Sequence, residues 1–307
     1  MTGNGTTAGG FPAAWIAVDW GTSNVRAWAM GAEGAVLARA GSDDGMGRLK
    51  PDEFEPALLR LAEPWLGAGV TPVIACGMVG ARQGWTEAAY RAVPCAANGG
   101  DLTRAPCKDA RLDVRLIPGV MQDDPADVMR GEETQIAGYL AATPDFDGVL
   151  CLPGTHTKWV RISAGEIVSF QTFMTGEIFA ALSSGTVLRH SVTTDGWDQD
   201  AFVQAVGDAM SRPESFAARA FGLRAAGLLH GMGAETARAR LSGLLLGAEL
   251  AGARPYWLGQ RVALIGAPKL TGLYAAALAA QGLDAEQVDG DPLSLAGLGA
   301  VYLAQRG

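Results

Sequence analysis

The sequence predicts an α/β protein in which one folding pattern occurs twice, and two similar stretches support this prediction. In residues 15–30, an apolar run is interrupted by Asp19 and by a Gly-Thr turn at Gly21, which predicts a strand, a tight turn and a second strand. Residues 149–162 repeat this layout around Gly154. Strand and helix patterns follow both hairpins, so we expect a duplicated fold.

Length and composition are typical of a globular protein. The chain has 307 residues, of which 49% are apolar and 18% are charged, enough for one large or two medium domains. The formal net charge of −8 argues against nucleic acid or an anionic membrane as a partner, although local arginines and lysines allow an anionic small-molecule substrate. The sequence does not indicate an oligomeric state.

The N-terminus, the apolar runs and the cysteines predict a cytoplasmic protein. Residues 1–12 are rich in Gly and Thr and lack a basic and apolar leader pattern, so we expect a mobile tail. No apolar run reaches the roughly 18–20 residues that cross a bilayer. The four cysteines are widely spaced, with no C-x-x-C pair, which favours reduced thiols.

The first half is predicted to alternate strands and helices after its hairpin. Residue spacing predicts a strand at 35–40, a helix at 51–66, strands at 70–76 and 116–120, and a helix that ends at residue 140. This last helix is expected to begin near Asp127 or Glu132. Residues 91–113 have little periodicity and are expected to be irregular. Residues 77–85 leave the end of a predicted strand, where open α/β sheets bind ligands, and are a candidate substrate loop.

The second half is predicted to repeat this order. A third strand at 167–173 precedes helices at 175–188, 200–210, 214–230 and 234–251. A buried strand at 262–266 ends in Gly266 and leads into a helix at 268–281, a unit suited to a nucleotide base or ribose. A last helix is expected at 292–305.

The two Gly-Thr turns are candidate phosphate sites. The backbone N–H groups of such a turn and the hydroxyls of Thr22 and Ser23 can donate to phosphate oxygens, while Asp19 can attract a magnesium ion. The second turn at Gly154 favours this interpretation over an ordinary hairpin with a surface aspartate. The sequence lacks the P-loop, zinc-peptidase and hydrolase-elbow signatures, which argues against these three classes of protein.

Five segments resemble motifs of the 2-dehydro-3-deoxygalactonokinase family. They are Asp19-Trp-Gly-Thr-Ser with Arg26, Met129-Arg-Gly-Glu-Glu-Thr-Gln135, Pro153-Gly-Thr-His-Thr-Lys-Trp159, Met174-Thr-Gly-Glu177 and Ser242-Gly-Leu-Leu-Leu-Gly-Ala-Glu249. The second and third are signals of the family itself, whereas Asp-x-Gly-Thr is shared by actin-like sugar kinases in general. The resemblance extends from about residue 13 to the C-terminus.

The resemblance implies a duplicated actin/hexokinase-like (ribonuclease H-like) α/β fold with ATP and substrate meeting in an interdomain cleft. Residues 13–145, completed by a C-terminal helix at 292–307, would form the N-terminal domain, and 146–291 the nucleotide-binding domain. The implied reaction is phosphorylation of 2-dehydro-3-deoxy-D-galactonate at its terminal 6-hydroxyl by ATP and Mg²⁺, in galactonate and galactose catabolism.

The resemblance also assigns residues to the ATP phosphates and the nucleotide. Asp19 would hold Mg²⁺, directly or through water. His156 lies within the second turn. It would bind the phosphates there, and the alternative is that it only orients the turn. The expected nucleotide-binding residues are Gly21, Thr22, Ser23, Gly154, Thr155, His156, Lys158, Gly176 and Gly266.

The catalytic base is expected at the start of the helix near residue 132. Many members of the superfamily have an aspartate there, whereas this chain has Glu132 and Glu133, with Asp127 as a further alternative. Acidic residues also stabilise a helix N-terminus through the helix dipole, which accounts for at least one glutamate without a catalytic role.

The substrate carboxylate is expected to bind Arg82, with Arg130 as the second choice, because a guanidinium fork matches a carboxylate. A solvated Arg82 is an equal alternative. The loop residues Met78, Gly80 and Trp85 are expected to contribute to the same site.

Two other functions are compatible with these patterns. The protein could be a kinase for another small sugar acid or sugar, since specificity would depend on loops such as residues 77–91. It could also be an actin-like ATPase or a phosphatase that uses water as the nucleophile. ATP turnover without added sugar acid would indicate the latter class.

Overall fold

The computed structural model describes residues 12–306. The chain divides into two compact units, the first formed by Met1–Asp145 with Pro292–Gly307 and the second by Phe146–Asp291. Within the described residues, no helix is long and apolar enough to cross a membrane. Apart from Pro12, the tail predicted over residues 1–12 lies outside the described residues.

The first unit contains two sheets. Its elements are β1 (Trp15–Trp20), β2 (Val25–Met30), β3 (Val36–Ser42), α1 (Phe54–Ala62), β4 (Thr71–Gly77), β5 (Tyr90–Ala92), β6 (Cys95–Ala96), β7 (Thr103–Arg104), β8 (Leu112–Leu116), β9 (Gly119–Gln122), β10 (Asp127–Met129) and α2 (Glu132–Ala142). The main sheet has the order β3-β2-β1-β4-β8-β7, and a smaller sheet has the order β10-β9-β5. In the main sheet β4 runs parallel to β1 and β8, while the hairpin strands are antiparallel.

The second unit repeats the central topology. Its elements are β11 (Gly148–Leu152), β12 (Thr157–Ser163), β13 (Glu166–Phe173), α3 (Thr175–Gly185), α4 (Arg189–Val192), α5 (Gln199–Ser211), α6 (Phe216–His230), α7 (Ala234–Gly252), α8 (Arg254–Trp257), β14 (Val262–Gly266), α9 (Pro268–Ala279) and β15 (Glu286–Asp289). The strands of this unit run β13-β12-β11-β14-β15, the same arrangement as β3-β2-β1-β4-β8. The shared order confirms the duplicated α/β fold that the hairpins predict.

Strand β1 lies at the centre of the first core because both of its faces are covered. Ile16 and Val18 belong to the cluster that contains Phe54 of α1. The alternate residue, Trp15, faces the other side, where its ring stacks on Tyr302 at 4.2 Å between centroids. Tyr302 lies in α10 (Asp291–Ala304), the last helix, which therefore completes the core of the first unit.

Several short regions differ from the sequence prediction, including β10 and the four-residue α4, which were not predicted. The strand expected at 116–120 is two strands, β8 and β9, because Pro118 lies between them and has no N–H for a ladder. Residues 91–113 contain β6, β7, the last part of β5 and the first two residues of β8, which are too short to give a periodic signal. The edge strand β15 and the four-residue α8 were not predicted for the same reason.

The start of α2 resolves the choice between Asp127 and Glu132. Asp127 lies in β10, so the helix does not begin there. Gly131 precedes the helix with φ of 108°, a left-handed value that a helical residue cannot have. The helix therefore begins at Glu132, the second of the two predicted positions.

Candidate active site

Asp19 lies next to the end of β1 and is paired with Arg26 across the first hairpin. The two residues are register partners in the β1–β2 ladder. Nη2 of Arg26 lies 2.6 Å from Oδ2 of Asp19, and the carboxylate side chain is 19% exposed. Asp19 is therefore a fixed, partly accessible carboxylate beside the first Gly-Thr turn.

The first turn is held by the backbone that follows β3. The amide of Met46 donates to the carbonyl of Gly21 at 3.0 Å, and the amide of Gly47 donates to the carbonyl of Thr22 at 2.9 Å. Thr22 and Ser23 themselves are exposed. The turn is thus rigid on its inner side and accessible on its outer side, as a phosphate site requires.

Two glycines allow the ends of β1 and β4 to approach the start of α2. Gly77 has φ of 87°, and a Cβ there would lie 2.7 Å from the carbonyl oxygen of Trp20. A Cβ on Gly131 would lie 3.4 Å from Cα of Gly77. Larger residues would separate these three elements, so the glycines bring the carboxyl edge of the sheet against the helix N-terminus.

This approach brings Asp19 and Glu133 close to the same buried thiol. Burial, and then the charges of Asp19 and Glu133, raise the pKa of Cys76 well above its usual value. Cys76 lies in β4 and is 2% exposed. The two carboxylates therefore belong to one site at the carboxyl edge of the first sheet.

The two glutamates at the start of α2 have different environments. Glu133 is fully buried, and its carboxylate accepts hydrogen bonds from the amide of Gly131 at 2.7 Å and the hydroxyl of Thr134 at 3.1 Å. Burial, followed by the charge of Glu132, raises the pKa of Glu133 to about 7. Glu132 is partly exposed, and its carboxylate accepts a 3.1 Å hydrogen bond from the amide of Arg130.

Asp127, the third candidate base, begins the short strand β10. Its carboxylate accepts a 2.8 Å hydrogen bond from the amide of Val128, the next residue. Asp127 therefore lies in β10, whereas Glu132 and Glu133 form the first turn of α2.

Arg130 holds the candidate substrate loop. Its guanidinium lies over the ring of Tyr90 at 4.4 Å and donates to the carbonyl of Ala88 at 2.7 Å. Its Nε and Nη1 are buried without a hydrogen-bond partner in the described part of the chain. A Cβ on Gly80 would lie 3.0 Å from Nη1, so the glycine lets the loop close over the arginine.

The other predicted loop residues divide into exposed and buried positions. Arg82 is exposed and Met78 is partly exposed. Trp85 is 6% exposed, packs against Phe54 and Trp20, and donates from Nε1 to the carbonyl of Pro106 at 3.2 Å. Trp85 therefore shapes the loop from inside the core, and Arg82 is its accessible cation.

The second Gly-Thr turn rests on the start of α3. The amide of Glu177 donates to the carbonyl of Thr155 at 3.0 Å, and Glu177 Oε2 lies 2.5 Å from Nε2 of His156. A Cβ on Gly176 would lie 2.3 Å from the carbonyl oxygen of Gly154, so only glycine fits this contact. His156 thus anchors the turn to the helix.

Lys158 is buried at the base of this turn. It is 4% exposed, and its Nζ donates to the carbonyl of His156 at 3.2 Å. Thr155 is exposed and Gly154 partly exposed, so the turn presents backbone while the ammonium lies behind it. The positive charge acts from beneath the turn and not from its surface.

A cavity of about 590 Å³ opens beside this turn, entirely within the second unit, and it has the size of a small-ligand site. Gly154, Thr175 and Gly176 form one part of its wall, and the start of α9 forms another. Sequence reasoning missed its other main lining residues, which are Phe179, Trp197, Arg238, Leu245, Lys269 and Tyr274.

Gly266 contributes to this region indirectly. A Cβ there would lie 3.5 Å from the carbonyl oxygen of Pro153, so Gly266 packs behind the turn, and it is not among the residues that line the cavity. The helix that follows it does line the cavity, through Lys269, Leu270 and Gly272. The strand-Gly-helix unit was therefore a useful signal, although the contact residues lie in α9.

The repeated topology and the two turns define the class of this protein. Each unit carries a Gly-Thr turn between antiparallel strands of the same sheet order. The first adds carboxylates at a helix N-terminus, and the second adds a cavity beside its turn. This repeated topology defines a protein of the actin/hexokinase-like fold, a class that includes sugar kinases.

Comparison with known proteins identifies the family. The model of the 2-keto-3-deoxy-galactonokinase family matches residues 19–301, and the chain belongs to this family. A Rhizobium meliloti (strain 1021) protein assigned as a 2-dehydro-3-deoxygalactonokinase is 42% identical, over 97% of this chain and 98% of the relative. The 2-dehydro-3-deoxygalactonokinase of Escherichia coli (strain K12) is 33% identical, over 94% of this chain and 97% of the relative.

A solved structure agrees with the family assignment. A crystal structure assigned to a 2-dehydro-3-deoxygalactonokinase of Sinorhizobium meliloti superposes with a TM-score of 0.86 at 42% identity, covering 95% of this chain and 99% of that one. The family and fold predicted from the sequence motifs are thereby confirmed.

Proposed function

We propose that the protein transfers the γ-phosphoryl group of ATP to the terminal 6-hydroxyl of 2-dehydro-3-deoxy-D-galactonate, giving the 6-phosphate and ADP. The family match and the two full-length relatives support this substrate. The observation that carries the proposal is the cavity beside the second Gly-Thr turn, and the first unit separately has a helix N-terminus that bears carboxylates.

The cavity of the second unit is proposed to bind the nucleotide. The amides of Gly154 and Thr155 suit the phosphates, because they lie where the eleven-residue helix α3 begins and its dipole favours negative charge. Phe179 and Trp197 provide apolar surface suited to a purine base. Lys269 adds a cation to the wall of the same cavity.

The first unit is proposed to supply the magnesium site and its own phosphate turn. Within residues 12–306, no cluster of three or more His, Cys, Asp or Glu side chains could hold a metal. Proteins usually bind Mg²⁺ through one or two carboxylates together with substrate phosphates and water. Asp19 would hold the ion, Thr22 and Ser23 would donate to phosphate oxygens, and the ion would neutralise charge on the transferred group.

Glu132 is proposed as the general base and Glu133 as the carboxyl that positions it. A base must contact the hydroxyl it deprotonates, and Glu132 is the partly exposed member of the pair. Glu133 holds the helix start through the amide of Gly131. Because Glu133 is buried beside Glu132, a proton on Glu133 at neutral pH keeps the negative charge on the accessible carboxylate.

Arg82 is proposed to bind the substrate carboxylate. It is exposed on the loop that leaves the carboxyl end of β4, whereas Arg130 is engaged with Tyr90 and Ala88. Arg130 then positions the loop, and Arg82 provides the fork for the carboxylate.

A coupled ADP-release assay with magnesium ATP tests the proposed function. The panel should contain 2-dehydro-3-deoxy-D-galactonate, its C4 epimer, and ordinary aldoses without a carboxylate. We expect the highest kcat/KM with the first compound and little turnover without an acceptor. Higher kcat/KM with an aldose would identify another sugar kinase, and acceptor-independent ATP hydrolysis would identify an ATPase.

A further inference from the structure

Glu249 is a buried carboxylate that the proposed reaction leaves without a role. It lies in α7, at the end of the family motif that begins at Ser242, and it is 3% exposed. Its Oε1 accepts a 2.8 Å hydrogen bond from Nε1 of Trp159, and its Oε2 accepts a 2.9 Å hydrogen bond from the hydroxyl of Tyr274. The hydroxyl of Thr175 also hydrogen-bonds to this carboxylate.

These donors connect four elements around the nucleotide cavity. Trp159 lies in β12, Tyr274 in α9, and Thr175 at the start of α3, while Glu249 itself lies in α7. The hydroxyl of Tyr274 is also 2.7 Å from that of Thr157, the residue that follows the phosphate turn. Thr175 and Tyr274 line the cavity. One carboxylate therefore joins the turn to both walls of the cavity.

The donors explain why a carboxylate is placed here. The indole N–H of Trp159 can only donate, so Oε1 of Glu249 must accept, whereas the hydroxyls of Tyr274 and Thr175 can donate to a carboxylate or accept from a protonated carboxyl. Burial opposes the charged form that these bonds favour. Burial raises the pKa of Glu249 to about 7, against the lowering effect of the bonds from Thr175, Trp159 and Tyr274.

We propose that Glu249 is a positioning residue of the nucleotide site and that it takes up a proton when the nucleotide binds. The proposal rests on the proposed function, because it requires nucleotide phosphates in the cavity. A polyphosphate that contacts Thr175 brings negative charge within one side chain of the Glu249 carboxylate. Repulsion then favours the neutral carboxyl, and by linkage nucleotide binding weakens as pH rises through neutrality.

The neighbouring titratable groups do not replace Glu249 in this role. Burial, together with the charge of Glu249, raises the pKa of Cys151 in β11 and of Tyr274 in α9 well above their usual values, so both remain neutral near pH 7. A Glu249→Gln substitution leaves the remaining charged side chains of the surrounding elements in place. On the elements that contact the carboxylate they are Glu177 on α3, Lys158 and Arg161 on β12, Glu235, Arg238 and Arg240 on α7, and Lys269 on α9. The other helices packed against α7 carry Asp200 and Asp208 on α5, Arg189 and His190 on α4, Arg219, Arg224 and His230 on α6, and Arg254 on α8.

Titration calorimetry of the full chain with magnesium ADP tests the proposal. Measurements at pH 7.5 in two buffers of different ionisation enthalpy give the number of protons taken up on binding. For a pKa that rises by about one unit in the complex, we expect uptake of about 0.5 proton and a Kd up to about tenfold weaker at pH 8.5 than at pH 6. Glu249→Gln should lose this uptake and flatten the pH dependence, while Glu214→Gln, an exposed control, should retain both.

The kinetic signature of positioning is a KM for ATP that no longer changes with pH in Glu249→Gln, while the KM for the sugar acid stays that of the wild type. Tyr274→Phe provides a second test, because losing one donor to the carboxylate should move the midpoint of the pH dependence upward. Unchanged proton uptake in Glu249→Gln, or an unchanged midpoint in Tyr274→Phe, would overturn the proposal. No binding of magnesium ADP to the wild-type protein would instead refute the proposed nucleotide site itself.

Discussion

Asp19 and Arg26 face each other across the first hairpin, with 2.6 Å between the guanidinium Nη2 and the carboxylate Oδ2. Their opposition follows from the register of β1 and β2, which pairs these two positions. The ion pair is partly exposed on both sides, so it contributes little to stability. The ion pair instead fixes the direction of the Asp19 carboxylate beside the first Gly-Thr turn.

The substitution Asp19→Asn should lower kcat by about 100-fold or more while changing the free energy of unfolding by less than about 1 kcal/mol. The amide keeps the shape of the side chain but loses the charge that attracts the metal ion. Steady-state kinetics at several Mg²⁺ concentrations and urea unfolding measure the two effects. The exposed Asp52→Asn is the matched control, with no change expected in either. Full activity of Asp19→Asn would remove this residue from the metal site.

The two glutamates at the start of α2 should respond differently to amide substitution. Glu132→Gln should lower kcat by about 100-fold or more, because general-base catalysis typically contributes this much. Glu133→Gln should have a smaller effect on kcat, since a neutral amide resembles the protonated carboxyl that burial favours. Pre-steady-state and steady-state rates of phosphoryl transfer measure both. If Glu133→Gln is the more damaging variant, the roles proposed for the pair are reversed.

Glu133 should also make the protein less stable as pH rises. Its pKa in the folded protein is about 7, above its usual value of 4.5. The folded state therefore retains a proton that the unfolded chain releases, and stability falls between about pH 4.5 and pH 7 and is then constant. Urea unfolding should show this decline reduced in Glu133→Gln, by an amount on the order of 3 kcal/mol over the window. If the free energy of unfolding changes with pH equally in the wild type and in Glu133→Gln, the pKa of Glu133 is not raised in the folded protein.

Local sequence patterns were enough to predict the two hairpins. The residues that surround the sites could not be predicted, because they come together through contacts between distant segments. Asp19 and Gly154 lie in short apolar stretches whose strand, turn and strand are visible in sequence. Trp159 and Glu249 are 90 positions apart, and their hydrogen bond exists only because α7 packs beneath β12. Neither residue differs in local pattern from an ordinary core tryptophan or helical glutamate, so sequence spacing alone gives no signal.

Sequence spacing was equally unable to distinguish the roles of the two candidate arginines, Arg82 and Arg130. The sequence placed Arg82 on the loop after a predicted strand and Arg130 in the Met129–Gln135 motif, but it gave no sign of which guanidinium is accessible. The ring of Tyr90 and the carbonyl of Ala88 engage Arg130, which separates a loop-holding arginine from an accessible one. This distinction depends on the contacts of Ala88 and Tyr90 with Arg130, and no periodicity encodes it.

Arg82→Ala should raise the KM for the sugar acid by about 10- to 100-fold and leave the KM for ATP unchanged. A charge-assisted hydrogen bond to the carboxylate contributes about 1.5–3 kcal/mol, which corresponds to this range. The exposed Arg39→Ala is the control for loss of a surface charge. An acceptor that lacks the carboxylate should react equally with both variants and the wild type. A KM for the sugar acid within twofold of wild type would exclude Arg82 as its partner.

Two glycines of α3 provide a matched pair for testing the second turn. Gly176 packs against the turn, where a Cβ would lie 2.3 Å from the carbonyl oxygen of Gly154, whereas a Cβ on Gly185 meets nothing within 4 Å. Gly176→Ala should therefore displace the turn, raise the KM for ATP more than about tenfold and lower stability by about 1–3 kcal/mol. Gly185→Ala should leave the KM unchanged and alter stability only slightly, by up to about 1 kcal/mol in either direction. Kinetics and thermal unfolding of both variants measure these effects. Equal KM values for ATP in the two variants would show that the turn at Gly154 does not bind the phosphates.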